Sequence, residues 1–357
     1  MALSGIQIYK LLPQTNCKEC GFPTCLAFAM KLAAKQVELS LCPYVSDESK
    51  AQLAESAAPP IRLVSLKSDG FEVKAGNEVV LFRHEKTFYH KTGVFVAVEA
   101  ALSTQVIQEK VKAVDGYTTN YVGIDLVLDG IAVQSSSNDA AKFAEAVKAV
   151  RAVTKRPLIL VCSDPGVIEA GLKALPGESP LVCAADSSNW QAMAGIAKAA
   201  KTSLVVKSGD LEEMADLTEK IKAAGLEDLV LWPQADTLGA SLALNTQIRR
   251  LALKKNFRAL GFPTIAFAAS PEAAAQAIAK YAGFVVIDDF APELVYPLLV
   301  LRENIYTDPQ KPIQVQPRVY EINRPKPDSP VVVTTNFSIT YFSVANEVEG
   351  SGLRAWL

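Results

Sequence analysis

The feature that most constrains the fold of this chain is a succession of eight short apolar runs, each long enough for one buried β-strand. Most are followed by a segment with helical periodicity, such as Asp139–Val153, Leu211–Ala224 and Pro271–Tyr281. Strands that are apolar on both faces require helices on both sides, which is the environment of a parallel sheet. The predicted strands are Val94–Val98, Val122–Leu128, Leu158–Cys162, Leu181–Ala184, Leu204–Lys207, Leu229–Trp232, Thr264–Ala268 and Phe284–Ile287.

Eight strand–helix units within residues 93–305 predict an α/β fold, a (β/α)8 or TIM barrel. An open, doubly wound sheet is the alternative, but it usually has fewer strands and often a glycine-rich first turn. Residues 57–92 precede the barrel. Their start, Ala57-Ala58-Pro59-Pro60, predicts a linker, and FEVKAGNEVVLFRH predicts a β-hairpin that turns at Ala75-Gly76-Asn77.

The first 56 residues hold four of the six cysteines, namely Cys17, Cys20, Cys25 and Cys42. A secreted disulfide scaffold would be short and rich in cysteine throughout, unlike this chain of 357 residues. The formal net charge of −2 favours neither a nucleic-acid nor a membrane partner, and no signal peptide or membrane-spanning run is present. These features predict a cytoplasmic protein, in which clustered free thiols indicate a metal site.

The spacing of these cysteines, C-x2-C-x4-C-x16-C, places three ligands on one short loop and returns the fourth after a helix. Gly21 and Pro23 suit such a loop, and Cys25 opens a predicted helix, Leu26–Glu38, whose first N–H groups would face an anionic cluster. The pattern favours an iron–sulfur cluster of the [4Fe–4S] type. Structural zinc is the alternative, although four-cysteine zinc sites usually pair two CxxC-like knuckles. A redox-switch disulfide is a third possibility.

After the barrel, residues 306–330 predict a semi-rigid, extended linker, because their prolines exclude a helix. These prolines are Pro309, Pro312, Pro317, Pro325, Pro327 and Pro330. A new β-run, VVVTTNFSITYFSV, then begins within residues 331–357, and the chain stops at Leu357. A segment this short cannot form an independent core, so we expect it to be the start of a third, α/β domain.

Taken in order, three segments resemble the large (gamma) subunit of the corrinoid/iron–sulfur protein of the reductive acetyl-CoA pathway. The same subunit occurs in the archaeal acetyl-CoA decarbonylase/synthase complex. The segments are SGIQIYKLLPQTNCKECGFPTCLAFAMKLA with the lone Cys42-Pro43, the eight-unit barrel, and TTNFSITYFSVANEVEGSG. Family members continue into a carboxy-terminal corrinoid-binding domain. The resemblance therefore implies that this chain contains only the start of that domain.

The resemblance implies a methyl carrier. Such a protein accepts a methyl group from a methyltetrahydrofolate or pterin methyltransferase, holds it on corrinoid cobalt, and passes it to acetyl-CoA synthase/CO dehydrogenase. The cluster, reduced by a ferredoxin-type activator, would return accidentally oxidised Co(II) to Co(I). A small subunit would complete a heterodimer and cover the corrinoid.

Five polar residues of the terminal segment are candidate contacts to the amide side chains of a corrin ring. They are Thr334, Thr335, Asn336, Thr340 and Asn346. Thr340 and Asn346 share one parity of the predicted strand and therefore one face, whereas the other three lie near its start. All five equally suit ordinary strand and turn positions. The two histidines, His84 and His90, lack the D-x-H-x-x-G context of a cobalt ligand.

Barrel enzymes work at the carboxyl ends of their strands, and the predicted ends here carry mainly acidic and amide side chains. They are Glu99, Asp129, Asp164, Asp186, Asn189, Lys207, Gln234, Asp288 and Asp289. Such groups suit a bound pterin or helix N-caps, and Asp164 and Asp186 resemble caps. No nucleophile–base pair is evident, so we assign no catalytic residue. Cys162 and Cys183, at two strand ends, are expected to be buried small hydrophobes.

These observations favour a docking or structural role for the barrel, because a fold alone does not establish catalysis. Two functional alternatives to the carrier stay open. One is a pterin-dependent barrel methyltransferase with an attached cluster, and the other is a plain electron-transfer module.

Overall fold

The computed structural model describes residues 4–33, 36–50, 53, 59–86, 88–307 and 315–357. They form two compact units. The first comprises the described residues up to Leu81 together with Phe88–Glu303, and the second comprises those of 82–87 and Asn304–Leu357. None of the helices in these ranges is both long enough and apolar enough to span a membrane. The linker residues Ala57 and Ala58, and Pro309 and Pro312, lie outside the described ranges.

The elements follow one another along the chain as strand–helix repeats between two short flanking regions. The strands are β1 (Val64–Ser68), β2 (Phe71–Ala75), β3 (Gly93–Glu99), β4 (Thr118–Tyr121), β5 (Ile124–Val127), β6 (Gly130–Gln134), β7 (Leu158–Val161), β8 (Leu181–Ala185), β9 (Ser203–Ser208), β10 (Leu229–Pro233), β11 (Ile265–Ala268), β12 (Phe284–Ile287), β13 (Glu321–Ile322) and β14 (Ala355–Trp356). The helices are α1 (Gly5–Leu11), α2 (Cys25–Ala33), α3 (Thr104–Asp115), α4 (Ala140–Arg151), α5 (Pro165–Lys173), α6 (Trp190–Ala200), α7 (Leu211–Ala223), α8 (Leu238–Lys255), α9 (Pro271–Ala279), α10 (Pro292–Thr307) and α11 (Ser338–Gly350), with 3₁₀ turns at Leu39–Leu41 and Arg258–Leu260.

Eight strands form one parallel sheet in the order β10-β9-β8-β7-β6-β3-β12-β11. A parallel bridge joins Leu231 of β10 to Thr264, which directly precedes β11. The N–H of Leu231 also donates to the carbonyl of Pro263 at 2.9 Å. These contacts bring the two ends of the sheet together, so the predicted TIM barrel is confirmed as a nearly closed barrel.

The barrel interior is filled by the inward-facing side chains of the strands. Phe95 and Phe284 are fully buried there, with ring centroids 6.2 Å apart. Polar residues between strand and helix start the outer helices, because their side chains accept hydrogen bonds from the first free N–H groups. Asp139 caps α4 in this way, and Asp210 caps α7.

The hairpin before the barrel turns earlier than predicted. β1 and β2 pair antiparallel around Asp69-Gly70 rather than around Ala75-Gly76-Asn77, and residues 79–82 are not a strand. Gly76 does adopt the left-handed φ of +106°, and a Cβ there would lie 2.0 Å from the Arg62 carbonyl oxygen. Gly76 therefore does have the backbone conformation predicted for a turn glycine, but it lies after β2 rather than in the turn of the hairpin. The hairpin contributes Val64 and Leu66 to the barrel core.

The predicted strand Val122–Leu128 is wrong as a barrel strand. Its residues form β5, which pairs only with β4 in an antiparallel hairpin. Val122 and Gly123 make the turn with φ of 51° and 82°, and the N–H of Gly123 donates to Asn120 Oδ1 at 3.1 Å. A valine with positive φ is unusual, so the turn gave no recognisable signal. The barrel strand at this place is β6, which begins at Gly130.

Replacing Gly130 with alanine is expected to destabilise the protein by about 1–3 kcal/mol. The new Cβ would lie 2.1 Å from the carbonyl oxygen of Pro157 and 2.5 Å from the ring of Phe95. Gly195 in α6 is the matched control, because nothing lies within 4 Å of its Cβ position. Gly195→Ala is expected to stabilise by up to about 1 kcal/mol. Urea denaturation measures both, and equal effects would contradict the assignment of β6 as a tightly packed barrel strand.

The predicted terminal β-run is also wrong, because its second half forms the start of helix α11. Tyr341, Val344 and Val348 pack with buried Ala345 against the short β13–β14 sheet. That spacing of three and four residues is helical, but the β-branched and aromatic composition of the segment favoured a strand. Tertiary packing therefore overrode local propensity here.

Candidate functional site

The four clustered cysteines lie in a small module built from α1, α2 and the first 3₁₀ turn. Cys25 and Cys42 are buried in its apolar core, and Cys20 packs against that core half-buried. Gly5 allows α1 to pack closely on α2, because a Cβ there would fall 2.2 Å from Sδ of Met30. Cys17 is exposed. The module therefore presents its thiols in a gradient from solvent to core.

Helix α2 begins at Cys25, next to the predicted start, but it is shorter than the predicted Leu26–Glu38. Gln36 and Val37 form a bend, and residues 34 and 35 lie outside the described ranges. The following 3₁₀ turn leads directly to the fourth cysteine, whose N–H donates to the Leu39 carbonyl at 3.0 Å. The spacer thus combines a short helix, a bend and a 3₁₀ turn.

The loop before α2 is tightly coiled. Asn16, Lys18 and Gly21 all have left-handed φ, and the N–H of Gly21 donates to the Lys18 carbonyl at 2.9 Å. Asn16 ties this loop to the helix from both sides. Its Oδ1 accepts from the N–H of Cys25 at 2.8 Å, and its own N–H donates to Cys25 Sγ at 3.4 Å. An N–H aimed at sulfur stabilises a thiolate, and so does the N-terminus of α2.

Tyr44 links the two ends of the motif. Its hydroxyl donates to Glu19 Oε1 at 2.7 Å, although the two residues are 25 positions apart. This hydrogen bond and the Glu19 charge raise the pKa of Tyr44, with smaller contributions from the nearby Cys17 and Cys42 thiols. The returning segment after Cys42 is therefore held beside the loop that carries Cys17. Asn16 and the Tyr44–Glu19 pair were not singled out from sequence, because isolated polar residues carry no periodic signal.

The donor chemistry of the module fits a soft metal centre. All four thiols are free, and thiolates select iron–sulfur clusters or zinc over hard cations. Across the described residues, however, no three His, Cys, Asp or Glu side chains are arranged as a closed metal-binding group. The residues present therefore fit a cluster by type and by location within one module, without a preformed ligand cage.

Cys162 and Cys183 are buried, as predicted, and burial raises the pKa of both thiols. We expect neither to react with iodoacetamide in the native protein at mildly alkaline pH, because only the thiolate is nucleophilic. The exposed Cys17 is expected to react first when iron has been removed. Peptide mass mapping before and after unfolding in urea checks this order, and native labelling of Cys183 would contradict the packing of β8.

The residues predicted at the barrel mouth divide into four groups. Asp164 is an N-cap, since its Oδ1 accepts from the Val167 N–H at 3.1 Å. Asp129 lies at the opposite, amino end of the barrel. It was predicted to follow a barrel strand, but it directly precedes the barrel strand β6, which begins at Gly130. Glu99, Asp186 and Lys207 line a cavity at the mouth. Asn189, Gln234, Asp288 and Asp289 do not line it, and Asp289 pairs with Lys110 at 2.9 Å.

The second unit contains a largely apolar groove of about 700 Å³. Three of the five predicted corrinoid contacts line it, namely Thr334, Thr335 and Asn336. Thr340 and Asn346 do not, and both are exposed on α11. Since they are six residues apart on a helix, they no longer share a face. On the other side of the groove, Arg318 stacks over the ring of Tyr320 at 4.5 Å.

Comparison with known proteins gives two family matches. Residues 64–357 match the family described as "CO dehydrogenase/acetyl-CoA synthase delta subunit", and residues 12–44 match the family described as "Putative Fe-S cluster". The second match contains all four clustered cysteines. The iron–sulfur match thus covers the cysteine module, and the longer match begins at the first strand of the hairpin and includes the barrel.

Individual relatives agree with these matches. The chain is 44% identical to the corrinoid/iron–sulfur protein large subunit of Moorella thermoacetica, over 100% of this chain and 81% of that protein. It is 34% identical to the acetyl-CoA decarbonylase/synthase complex subunit gamma 2 of Methanosarcina mazei, over 99% and 81%. A solved 7,8-dihydropteroate synthase from Vibrio fischeri is 14% identical, covers 69% of this chain and 100% of that one, and has a TM-score of 0.46. The chain belongs to the family of corrinoid/iron–sulfur protein large subunits and acetyl-CoA decarbonylase/synthase gamma subunits.

Proposed function

We propose that the chain is the methyl-carrying subunit of a corrinoid/iron–sulfur protein. The proposal rests on the 44% identity along the whole chain to a corrinoid/iron–sulfur protein large subunit, with the cysteine module in place. In this role the protein accepts a methyl group from a methyltetrahydrofolate- or pterin-dependent methyltransferase. It delivers the group to acetyl-CoA synthase/CO dehydrogenase.

We assign the cluster ligands to Cys17, Cys20, Cys25 and Cys42, and the cluster type to [4Fe–4S]. A bound cluster supplies the single low-potential electron that restores oxidised cobalt. The protein's part is to stabilise negative charge at the ligand sulfurs, through the Asn16 N–H and the amino end of α2. An exposed Cys17 places one ligand at the surface, where a ferredoxin-type reductant can approach.

We assign the corrinoid to the groove of the second unit. A bound corrinoid supplies the cobalt that holds the methyl group. Corrin rings carry amide side chains around an apolar macrocycle, and the groove offers Thr334, Thr335 and Asn336 beside apolar walls. Hydroxyl and amide groups at such positions orient the ring by hydrogen bonds. Thr340 and Asn346, on the exposed surface of α11, stay as weaker candidates.

The same unit carries a surface suited to a partner. Val331, Val333, Ile339 and Phe342 are all exposed apolar side chains, which marks an interaction surface. We propose that the small subunit of a heterodimer covers them together with the corrinoid. The assembly is proposed to work in the cytoplasm, where clustered thiols stay reduced.

Metal analysis of the protein purified anaerobically with its small subunit tests the proposal, and we expect both iron and cobalt. Val333→Asp is expected to lower the cobalt content about tenfold, because it places a charge in an apolar contact. Val122→Asp is the matched control, since Val122 is 85% exposed against 88% for Val333 but lies in the β4–β5 hairpin. Stoichiometric iron with no cobalt in the parent protein would refute the carrier function.

A further inference from the structure

The barrel mouth contains a cavity of about 240 Å³ that shares no lining residue with the groove proposed to hold the corrinoid. It lies at the carboxyl ends of β3 and β6–β10, the position at which barrel proteins bind small molecules. Its volume is below the roughly 300–1,000 Å³ typical of sites for drug-sized ligands. A ligand of this cavity is therefore a single ring or a molecule of similar size.

Lys207, near the end of β9, provides a cationic hydrogen-bond donor in this cavity. Its ammonium lies 5.5 Å from the ring centroid of Trp232, and it makes no hydrogen bond or ion pair with any described residue. The carboxylate of Asp186 is close to it and partly balances its charge, and Oδ1 of Asp186 also accepts from the N–H and hydroxyl of Ser188 at 2.9 and 2.5 Å. Burial disfavours ionisation of Asp186, yet the Ser188 hydrogen bonds and the Lys207 charge together lower its pKa.

The opposite side of the cavity provides an acceptor. Glu99 ends β3, and its only hydrogen bond among described side chains comes from the Ser136 hydroxyl at 3.4 Å. In the strand order β3-β6-β7-β8-β9, Glu99 and Lys207 are four strands apart, which in an eight-stranded barrel means opposite sides. Beside Glu99, Ser135 directly follows β6, the strand paired with β3, and its hydroxyl is buried without a hydrogen-bond partner among the described residues. A buried hydroxyl without a partner costs about 1–3 kcal/mol, which a ligand atom would recover.

The wall beside Lys207 is aromatic and well supported. Trp232 packs on Phe267 with ring centroids 4.3 Å apart, which holds the indole in place. The indole is therefore a fixed aromatic wall beside the Lys207 ammonium. The cavity thus combines an acceptor, a buried hydroxyl, an ammonium and a flat wall.

We propose that this cavity binds a small planar molecule with N–H donors at one edge and an anionic oxygen at the opposite edge. The N–H groups pair with Glu99 and the neighbouring Ser135 hydroxyl, the anionic oxygen pairs with Lys207, and the ring lies beside Trp232. Both charged residues are needed, because each satisfies a different end of the ligand. The barrel of this family member is then a ligand-binding domain as well as a scaffold.

Calorimetric titration of the whole chain with 6-aminonicotinate tests this proposal, since that ring carries an amine and a carboxylate at opposite positions. We expect a Kd of about 1 mM or tighter. The two half-molecules, nicotinate and 2-aminopyridine, are expected to bind about tenfold more weakly, because each leaves one charged residue without its partner.

Two substitutions in the cavity separate this site from incidental binding. Lys207→Met and Glu99→Gln preserve side-chain size, and each is expected to weaken binding of 6-aminonicotinate about tenfold or more. Lys173→Met, on the exposed face of α5, is the control and should change nothing. Circular dichroism confirms folding of each variant. Absence of binding at about 10 mM, or binding unchanged in both Lys207→Met and Glu99→Gln, would overturn the proposal.

Discussion

Replacing Cys25 with alanine is expected to abolish cluster binding, with the iron content falling at least about tenfold and the brown absorbance disappearing. Cys25 is the most strongly tied of the four thiols. It is buried, it opens α2, and it exchanges hydrogen bonds with Asn16 in both directions. The substitution removes a proposed ligand and the sulfur that accepts from the Asn16 N–H, while the backbone hydrogen bond to Asn16 Oδ1 remains. Iron analysis and the visible spectrum measure the outcome.

Cys183, which lies outside the cysteine module, is the internal control for this experiment. Cys183 is completely buried in β8 of the barrel, far from the cysteine module in sequence. Cys183→Ala is therefore expected to keep its full iron content. In an assay with the partner proteins, Cys25→Ala should lose reductive reactivation, while methyl transfer from protein that was reduced beforehand continues. Retention of iron in Cys25→Ala would refute the ligand assignment, and loss of both activities would indicate that the module is mainly structural.

Replacing Arg302 with alanine is expected to lower the free energy of unfolding by about 3–5 kcal/mol and the Tm by roughly 10 °C. Arg302 projects from α10 to the amino end of the barrel and is only 4% exposed. Its guanidinium pairs with Asp129 and donates to the carbonyls of Thr92 and Val127 at 3.1 and 3.0 Å. Asp129 also accepts from the Val94 N–H at 2.8 Å. One side chain thus connects the last barrel helix to the starts of β3 and β6.

The size of the effect comes from what remains after the substitution, namely a partly buried carboxylate and two carbonyls without their donor. The double variant Arg302→Met/Asp129→Asn should therefore lose less than the sum of the two single variants. Lys220→Ala is the surface control, because its ion pair with Asp216 is half-exposed and is expected to contribute under about 0.5 kcal/mol. Thermal denaturation measures all five variants, counting the two single variants of the double. A loss as small for Arg302→Ala as for Lys220→Ala would contradict a structural role for the pair.

Local patterns predicted much of the fold. The apolar runs and helical periodicity located seven of the eight barrel strands, and Asp164 was recognised as a cap because capping depends on neighbouring residues alone. The eighth strand was predicted at the wrong segment, because Val122–Leu128 and Gly130–Gln134 are both apolar. Which of them enters the sheet depends on partners distant in sequence. The terminal segment was misread for a similar reason, since packing of α11 on β13 outweighed its strand propensity.

The identity and order of the cysteine donors follow from the amino-acid sequence alone, because the C-x2-C-x4-C-x16-C spacing is a property of neighbouring residues. The sequence also determined that a parallel α/β barrel follows them. Only the tertiary structure decided which polar side chains meet. It moved Asp129 to the amino end beside Arg302, set Glu99 and Lys207 on opposite sides of one cavity, and separated Thr340 from the groove. The physical reason is that strand order, register and helix face are set by packing between distant segments, which no local pattern encodes.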